Sequence, residues 1–222
     1  VKKFKHNLVS FTELTTETIE GQRHYVLPDG ATKLKSVTTI LGERLDKTGL
    51  LEWRKRVGEE EANRISNQAA RRGTAIHNMA EKYLLNEDMT LISFKEMPIN
   101  VETFCGIKYV LDDHVDNIYG IELPLYSKTL GCAGRTDLVA EYDGVLSIID
   151  FKTSRKPKKM KYIESYLLQA TVYSMMFEWI YKISVPQIVI IIAVDDEITP
   201  QIFRLERSQY INRVLEVFTD KT

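Results

Sequence analysis

The sequence predicts a mixed α+β (α/β) fold, with a central mixed β-sheet flanked by helices and an N-terminal helical cap or arch. Three observations predict it. Asp143-Gly144 lies between two alternating apolar runs, the strongest short-range signal for a hairpin, because a type I′ turn needs positive φ at both central residues. Gln187–Val194 is apolar and β-branched throughout, the pattern of a strand buried on both faces. Residues 48–118 carry helical spacing over a longer stretch than a sheet of this size needs for cover.

The elements follow in order. Residues 1–22 are polar and weakly patterned and read as an arm. Arg23–Leu27 and Thr32–Lys35 flank the turn residues Pro28-Asp29-Gly30 and predict a small hairpin. Ser36 is placed to cap a short helix running to Leu41. Thr48–Leu85 reads as helix with interruptions near Gly58 and Asn67, and a second helix covers Val101–Asn117. Strands follow at Tyr119–Tyr126, Cys132–Tyr142 and Val145–Lys152. A long amphipathic helix spans Met160–Ile183, and strands at Gln187–Val194 and Gln201–Leu205 precede a closing helix, Ser208–Phe218. With no repeat or low-complexity linker, the chain reads as one domain over 1–222: arm and hairpin at 1–35, helical region at 36–118, core at 119–222.

Composition narrows the function. The 222 residues carry 30 Lys and Arg against 31 Asp and Glu, a net charge of −1, so any polyanion site must come from local clustering. The 2 cysteines, Cys105 and Cys132, exclude an all-cysteine zinc site or a four-cysteine iron–sulfur cluster within one chain. The longest apolar runs are too short to span a bilayer, and no signal-peptide core is seen; the expectation is a cytoplasmic protein with no membrane partner.

The hairpin carries the chemistry. A two-residue loop at 143–144 pairs Tyr142 with Val145, and the register carried back places Asp137 directly opposite Asp150. Like charges opposed on neighbouring strands are destabilising, and a buried unpaired carboxylate is expensive, so a cation between them is expected. Two carboxylates suit the hard ions Mg²⁺ or Mn²⁺. Lys152 follows on the same face as Asp150, roughly 7 Å further along. Two acids and a lysine in this arrangement form a metal-dependent phosphodiesterase constellation. Glu122, on the preceding strand, is a candidate third carboxylate. His77 is read near the start of a helix, turned inward because Gly73, Ala80 and Leu84 at helical spacing are small or apolar. Gln169 and Tyr173 lie one helical turn apart on one face.

Between Lys152 and Lys161 there are 6 basic residues and no acidic ones. Directly beyond a metal site such a segment suits contacts to backbone phosphates. Arg54, Lys55, Arg56, Arg71 and Arg72 extend the track.

Taken in order, Glu122, Gly-Arg-Thr-Asp137, Ile-Asp150-Phe-Lys152 and Gln169-x-x-x-Tyr173 resemble the PD-(D/E)XK nuclease superfamily, in its RecB-like branch. Arg-Gly-Thr-x-Ile-His77 resembles that branch's N-terminal histidine motif. Leu34–Leu41, Trp53–Arg56 and Ile149–Pro157 bring the resemblance closer to the mitochondrial genome maintenance exonuclease group and its phage relatives, over roughly residues 23–215. The missing presequence of that group points to a phage or bacterial source, and so to the host cytoplasm. The resemblance implies a restriction-endonuclease-like core. It implies one or two divalent ions, Mg²⁺ or Mn²⁺, held by His77, Glu122, Asp137, Asp150 and the Phe151 carbonyl. Lys152 would orient the attacking water and stabilise transition-state charge. Gln169 and Tyr173 would support the lysine and the phosphate, with Ser36, Arg72, Thr153 and Ser154 as further substrate contacts. The implied activity is exonuclease cleavage of single-stranded DNA from free ends, with the helical region arching over the strand. Replication or recombination proteins are the implied partners. The alternatives are a flap or junction endonuclease of the same fold and a non-catalytic DNA-binding module.

Overall fold

The computed structural model describes residues 2–195 and 197–219. The elements run β1 (Thr15–Ile19), β2 (Gln22–Val26), β3 (Lys33–Ser36), α1 (Val37–Arg44), α2 (Thr48–Val57), α3 (Glu59–Leu84), α4 (Met89–Ser93), α5 (Pro98–His114), β4 (Val115–Ser127), β5 (Cys132–Tyr142), β6 (Val145–Ser154), α6 (Glu164–Tyr181), β7 (Gln187–Val194), β8 (Gln201–Glu206) and α7 (Ile211–Thr219). All eight strands join one mixed sheet, ordered β1-β2-β3-β5-β6-β7-β8, with β4 paired to β5.

Two helical layers cover the sheet, as the alternation of side chains requires. Val139, Ile148, Ile188, Ile190 and Ile192 face one core, closed by α1, α6 and α7. Leu138, Ala140, Ile149, Phe151, Val189 and Ile191 face the other, closed by the second half of α3 and by α5. All eight residues of β7 are buried, as their β-branched run predicts. The helical block at 36–118 therefore divides its work. Helix α5 and the end of α3 build a core layer. Helix α2 buries no residue, and between Ala62 and Ala75 neither does α3; these parts project.

The Asp143-Gly144 turn forms with φ of 49° and 76°, and Tyr142 pairs with Val145. The ladder then runs to Leu138↔Ile149 and stops, one pair short of Asp137 and Asp150. Beyond that point β6 stays with β7 as far as Ser154↔Val194. On the same side of β5, β3 takes over only at Cys132 and Ala133. A fork thus opens between β5 and β6, with residues 134–137 on one arm and 150–153 on the other. The opposed aspartates of the sequence reading are splayed rather than paired. Two like charges resist a ladder position, and Asp137 takes the Phe151 N–H on its own carboxylate instead, at 2.7 Å.

Other differences are local. His77 lies well along α3, not near a helix start, because the helix runs through Asn67 without a break and only Gly58, at φ 87°, interrupts the region. Strand β1 falls in the expected arm. Its burial pattern is largely exposed, which hides the alternation, but Glu20-Gly21 turns it into β2 with both φ positive. Helix α4, capped by Asp88, was also not expected. The long helix splits into a 3₁₀ turn at Met160–Tyr162 and α6.

Candidate active site

The fork brings its side chains together from four elements. Asp137 and Asp150 flank the point where β5 and β6 part. Glu122 occupies the position on β4 between Ile121↔Leu138 and Leu123↔Thr136, which sets it opposite Asp137. Its φ is 47°, in the left-handed region that costs a side-chain-bearing residue about 1–2 kcal/mol. His77 arrives from α3. One ligand atom from each of His77, Glu122 and Asp137 lies within 4.8 Å of the others, a grouping able to hold a metal ion.

Hydrogen bonds fix the frame. The Phe151 peptide is bracketed: its N–H donates to Asp137 Oδ2 at 2.7 Å and its carbonyl meets His77 Nε2 at 2.9 Å. His77 Nδ1 lies 3.3 Å from Asp137 Oδ1. The carbonyl that the resemblance offers as a metal ligand is therefore held by the histidine in this state. Asp150 is almost wholly buried, at 1% exposure; its Oδ2 is ion-paired with Lys152, and its Oδ1 has no partner. A buried carboxylate oxygen left unsatisfied is costly, and a cation would satisfy it. The residues present therefore fit a hard divalent ion, three carboxylates and an imidazole being the donor set expected.

Electrostatics follow from this crowding. Burial and then Asp137 push the Glu122 carboxyl up to about 7. Burial also pushes Asp150 up to about 6, with Lys152 opposing and Asp137 adding to the rise. Asp137 is held below its ordinary value: burial works to raise it, but His77, Lys152 and the Phe151 N–H together outweigh that. His77 shows the reverse balance. Burial disfavours its charge, but Asp137 prevails and its pKa rises to about 9. The Lys152 ammonium stays charged, because Asp150 and Asp137 outweigh its burial.

Helix α6 closes the fork. Its Gln169 and Tyr173 are buried, one helical turn apart. Tyr173 packs so tightly on Gly134 that a Cβ there would sit 2.7 Å from the ring Cε1, so Gly134 is the residue the wedge requires. Ser36 stands beside Ala133 and caps α1, accepting the Thr39 N–H at 3.0 Å. Thr153 Oγ1 faces Gly73 of α3, and Ser154 donates to the Lys156 carbonyl at 2.7 Å. Arg72 is ion-paired with Asp195, and its Nε is buried without a partner. Arg155 and Lys156 are exposed, and the charge of Arg155 reaches Arg72 and Glu61 on α3. The basic segment thus faces the projecting part of α3.

Four residues escaped the sequence reading. Tyr166 lies under Lys152, whose Nζ is 5.2 Å from the ring centroid; its signal was the spacing of three to Gln169 and seven to Tyr173. Glu81, one turn after His77, adds a charge that raises Glu122. Arg135 donates to both the Glu122 carbonyl and the Glu13 carboxylate, contacts that no local pattern announces.

Against known proteins, no family model matches the chain. It is 31% identical over 132 residues to human mitochondrial genome maintenance exonuclease 1, covering 56% of this chain and 38% of that protein. To the mouse protein of the same name it is 28% identical over 145 residues, covering 60% and 41%. The chain thus spans about two-fifths of the curated relatives it matches. The crystal structure of SSO0001 superposes over 84% of this chain and 76% of that one at 13% identity, with a TM-score of 0.38, too low to carry an argument. Similarity to curated relatives named as exonucleases supports a nuclease family for this chain.

Proposed function

We propose that the protein is a PD-(D/E)XK nuclease, a Mg²⁺- or Mn²⁺-dependent exonuclease acting on single-stranded DNA with free ends. The observation that carries this reading is the fork: His77, Glu122 and Asp137 converge within 4.8 Å beside a buried Asp150, which pairs with Lys152 through Oδ2 and leaves Oδ1 without a partner.

In this reading His77, Glu122, Asp137 and Asp150 would hold the ion, with the Phe151 carbonyl as a further oxygen donor. The ion supplies Lewis acidity, making a water more nucleophilic and offsetting charge on the scissile phosphate. Lys152 holds its proton, orients the attacking water and stabilises the negative charge that gathers on the phosphate oxygens. Tyr166 supports the lysine stem from below. Gln169 and Tyr173 fix the fork width through the Gly134 contact. Arg72 of α3, with Thr153 and Arg155 across from that helix and the basic residues after Lys152, would line the path of the backbone phosphates. Ser36 and Ser154 shape the ends of the fork through their capping and turn hydrogen bonds.

The test compares linear with circular single-stranded DNA in Mg²⁺. Loss of the linear substrate alone is the expected result. Cleavage of both makes the protein an endonuclease, and binding without cleavage makes it a DNA-binding module.

A further inference from the structure

The metal centre contains one ligand that its own backbone does not favour. Glu122 sits at φ 47° inside a strand, and in that conformation its carboxylate lies within 4.8 Å of ligand atoms of Asp137 and His77. What holds it there lies outside the ligand set. The Arg135 guanidinium donates through Nη1 to the Glu122 carbonyl and through Nη2 to Glu13. Arg135 stands opposite Pro124 in the ladder, two residues beyond Glu122. Glu13 in turn belongs to the N-terminal arm. That arm is tied along β4 by Asn7 N–H to Ile118 O at 2.7 Å, Ile118 N–H to Lys5 O at 2.8 Å and Val9 N–H to Tyr119 O at 2.9 Å. Phe4 and Leu14 anchor its ends in two different cores.

We infer that Arg135 is a positioning residue that clamps the Glu122 backbone in its left-handed conformation, and that the N-terminal arm, through Glu13, braces the clamp and so completes the metal centre. The inference rests on the metal-centre reading above. It makes the arm a part of the site although no arm residue approaches the ion as a ligand. A guanidinium suits the role because its rigid fork binds two acceptors at fixed separation, which an ammonium on a flexible stem does not.

The experiment is Mn²⁺ calorimetry on the full chain, with no DNA present. Arg135→Ala is expected to lower Mn²⁺ affinity by about tenfold or more, the usual effect of removing a partner that orients a ligand. Arg135→Lys should fall with it, since it keeps the charge and loses the two-ended grip. Glu13→Gln should show a smaller loss of the same sign. In a Glu122→Ala background the Arg135 effect should vanish, because the clamp acts only through Glu122. Wild-type affinity in Arg135→Lys and Glu13→Gln overturns the clamp even where Arg135→Ala does not fold. An equal loss from Arg135→Ala with and without Glu122 overturns it as well. A wild-type protein that binds no Mn²⁺, or an Asp137→Ala variant that binds it unchanged, overturns the metal-centre reading itself.

Discussion

Asp150 and Lys152 form a buried pair whose balance depends on what joins them. Removing the lysine leaves Asp150, 1% exposed, without a countercharge, which in buried pairs costs about 3 kcal/mol or more. A bound cation would relieve that cost. Lys152→Ala is therefore expected to melt at a lower temperature without metal and to recover much of the loss in Mn²⁺. Its turnover should fall by about 10²–10³-fold or more, the scale for losing one transition-state partner, while Mn²⁺ binding persists. Turnover near wild type would remove Lys152 from the chemistry. Gly134 is the residue-scale counterpart on the other arm of the fork: its missing side chain is the space that Tyr173 fills.

The Asp143-Gly144 hairpin shows how an element sets a site. The turn lies at the far end of the ladder from the aspartates, yet it fixes which residues of β5 and β6 reach the fork together. One residue inserted at the turn shifts each strand's side chains to the opposite face or forces a bulge. The expected outcome is a protein that keeps its circular dichroism spectrum and loses nuclease activity; a fully active insertion variant would show that the register does not matter. The turn, the register beside it and the buried β7 were legible because each depends on a few neighbouring residues. The splay was not. The sequence placed Asp137 against Asp150, but the ladder's end depends on a Tyr173 wedge from α6 and on a carboxylate replacing a backbone acceptor. Glu122 was a candidate from its place on the preceding strand and His77 a ligand from motif resemblance, whereas their nearness to Asp137 needs α3 and β4 folded onto β5. Strand β1 was missed because an exposed edge strand has no buried face to write an alternation into the sequence.

At the scale of the whole molecule, two cores meet along one sheet, and the fork is where helices from both layers reach it: α3 with His77 from one side, α6 with Gln169 and Tyr173 from the other. Among the described residues no helix is long and apolar enough to cross a membrane. In the proposed metal centre, the pooled charge of the site would make ion binding a protonic event. Without metal, His77 titrates at about 9 and Glu122 at about 7. Both must be deprotonated to act as ligands, so metal binding releases protons below those values. Mn²⁺ affinity is expected to climb as pH rises from about 6 to about 9 and to level off above, where no proton remains to displace. Calorimetry at one pH in buffers of different ionisation enthalpy counts the protons released. An affinity flat across that range would contradict the assignment of His77 and Glu122 as ligands.

The bracketed Phe151 peptide carries a last consequence. Its N–H is tied to Asp137 and its carbonyl to His77, two side chains from different layers of the protein. Whatever draws Asp137 away alters the Phe151 amide, and whatever draws His77 away alters the next amide, formed by the Phe151 carbonyl and the Lys152 nitrogen. Residues 151 and 152 are thus a natural spectroscopic gauge: their two backbone nitrogen–proton resonances, titrated with Mg²⁺ in isotope-enriched protein, would read the occupancy of the fork without DNA or turnover.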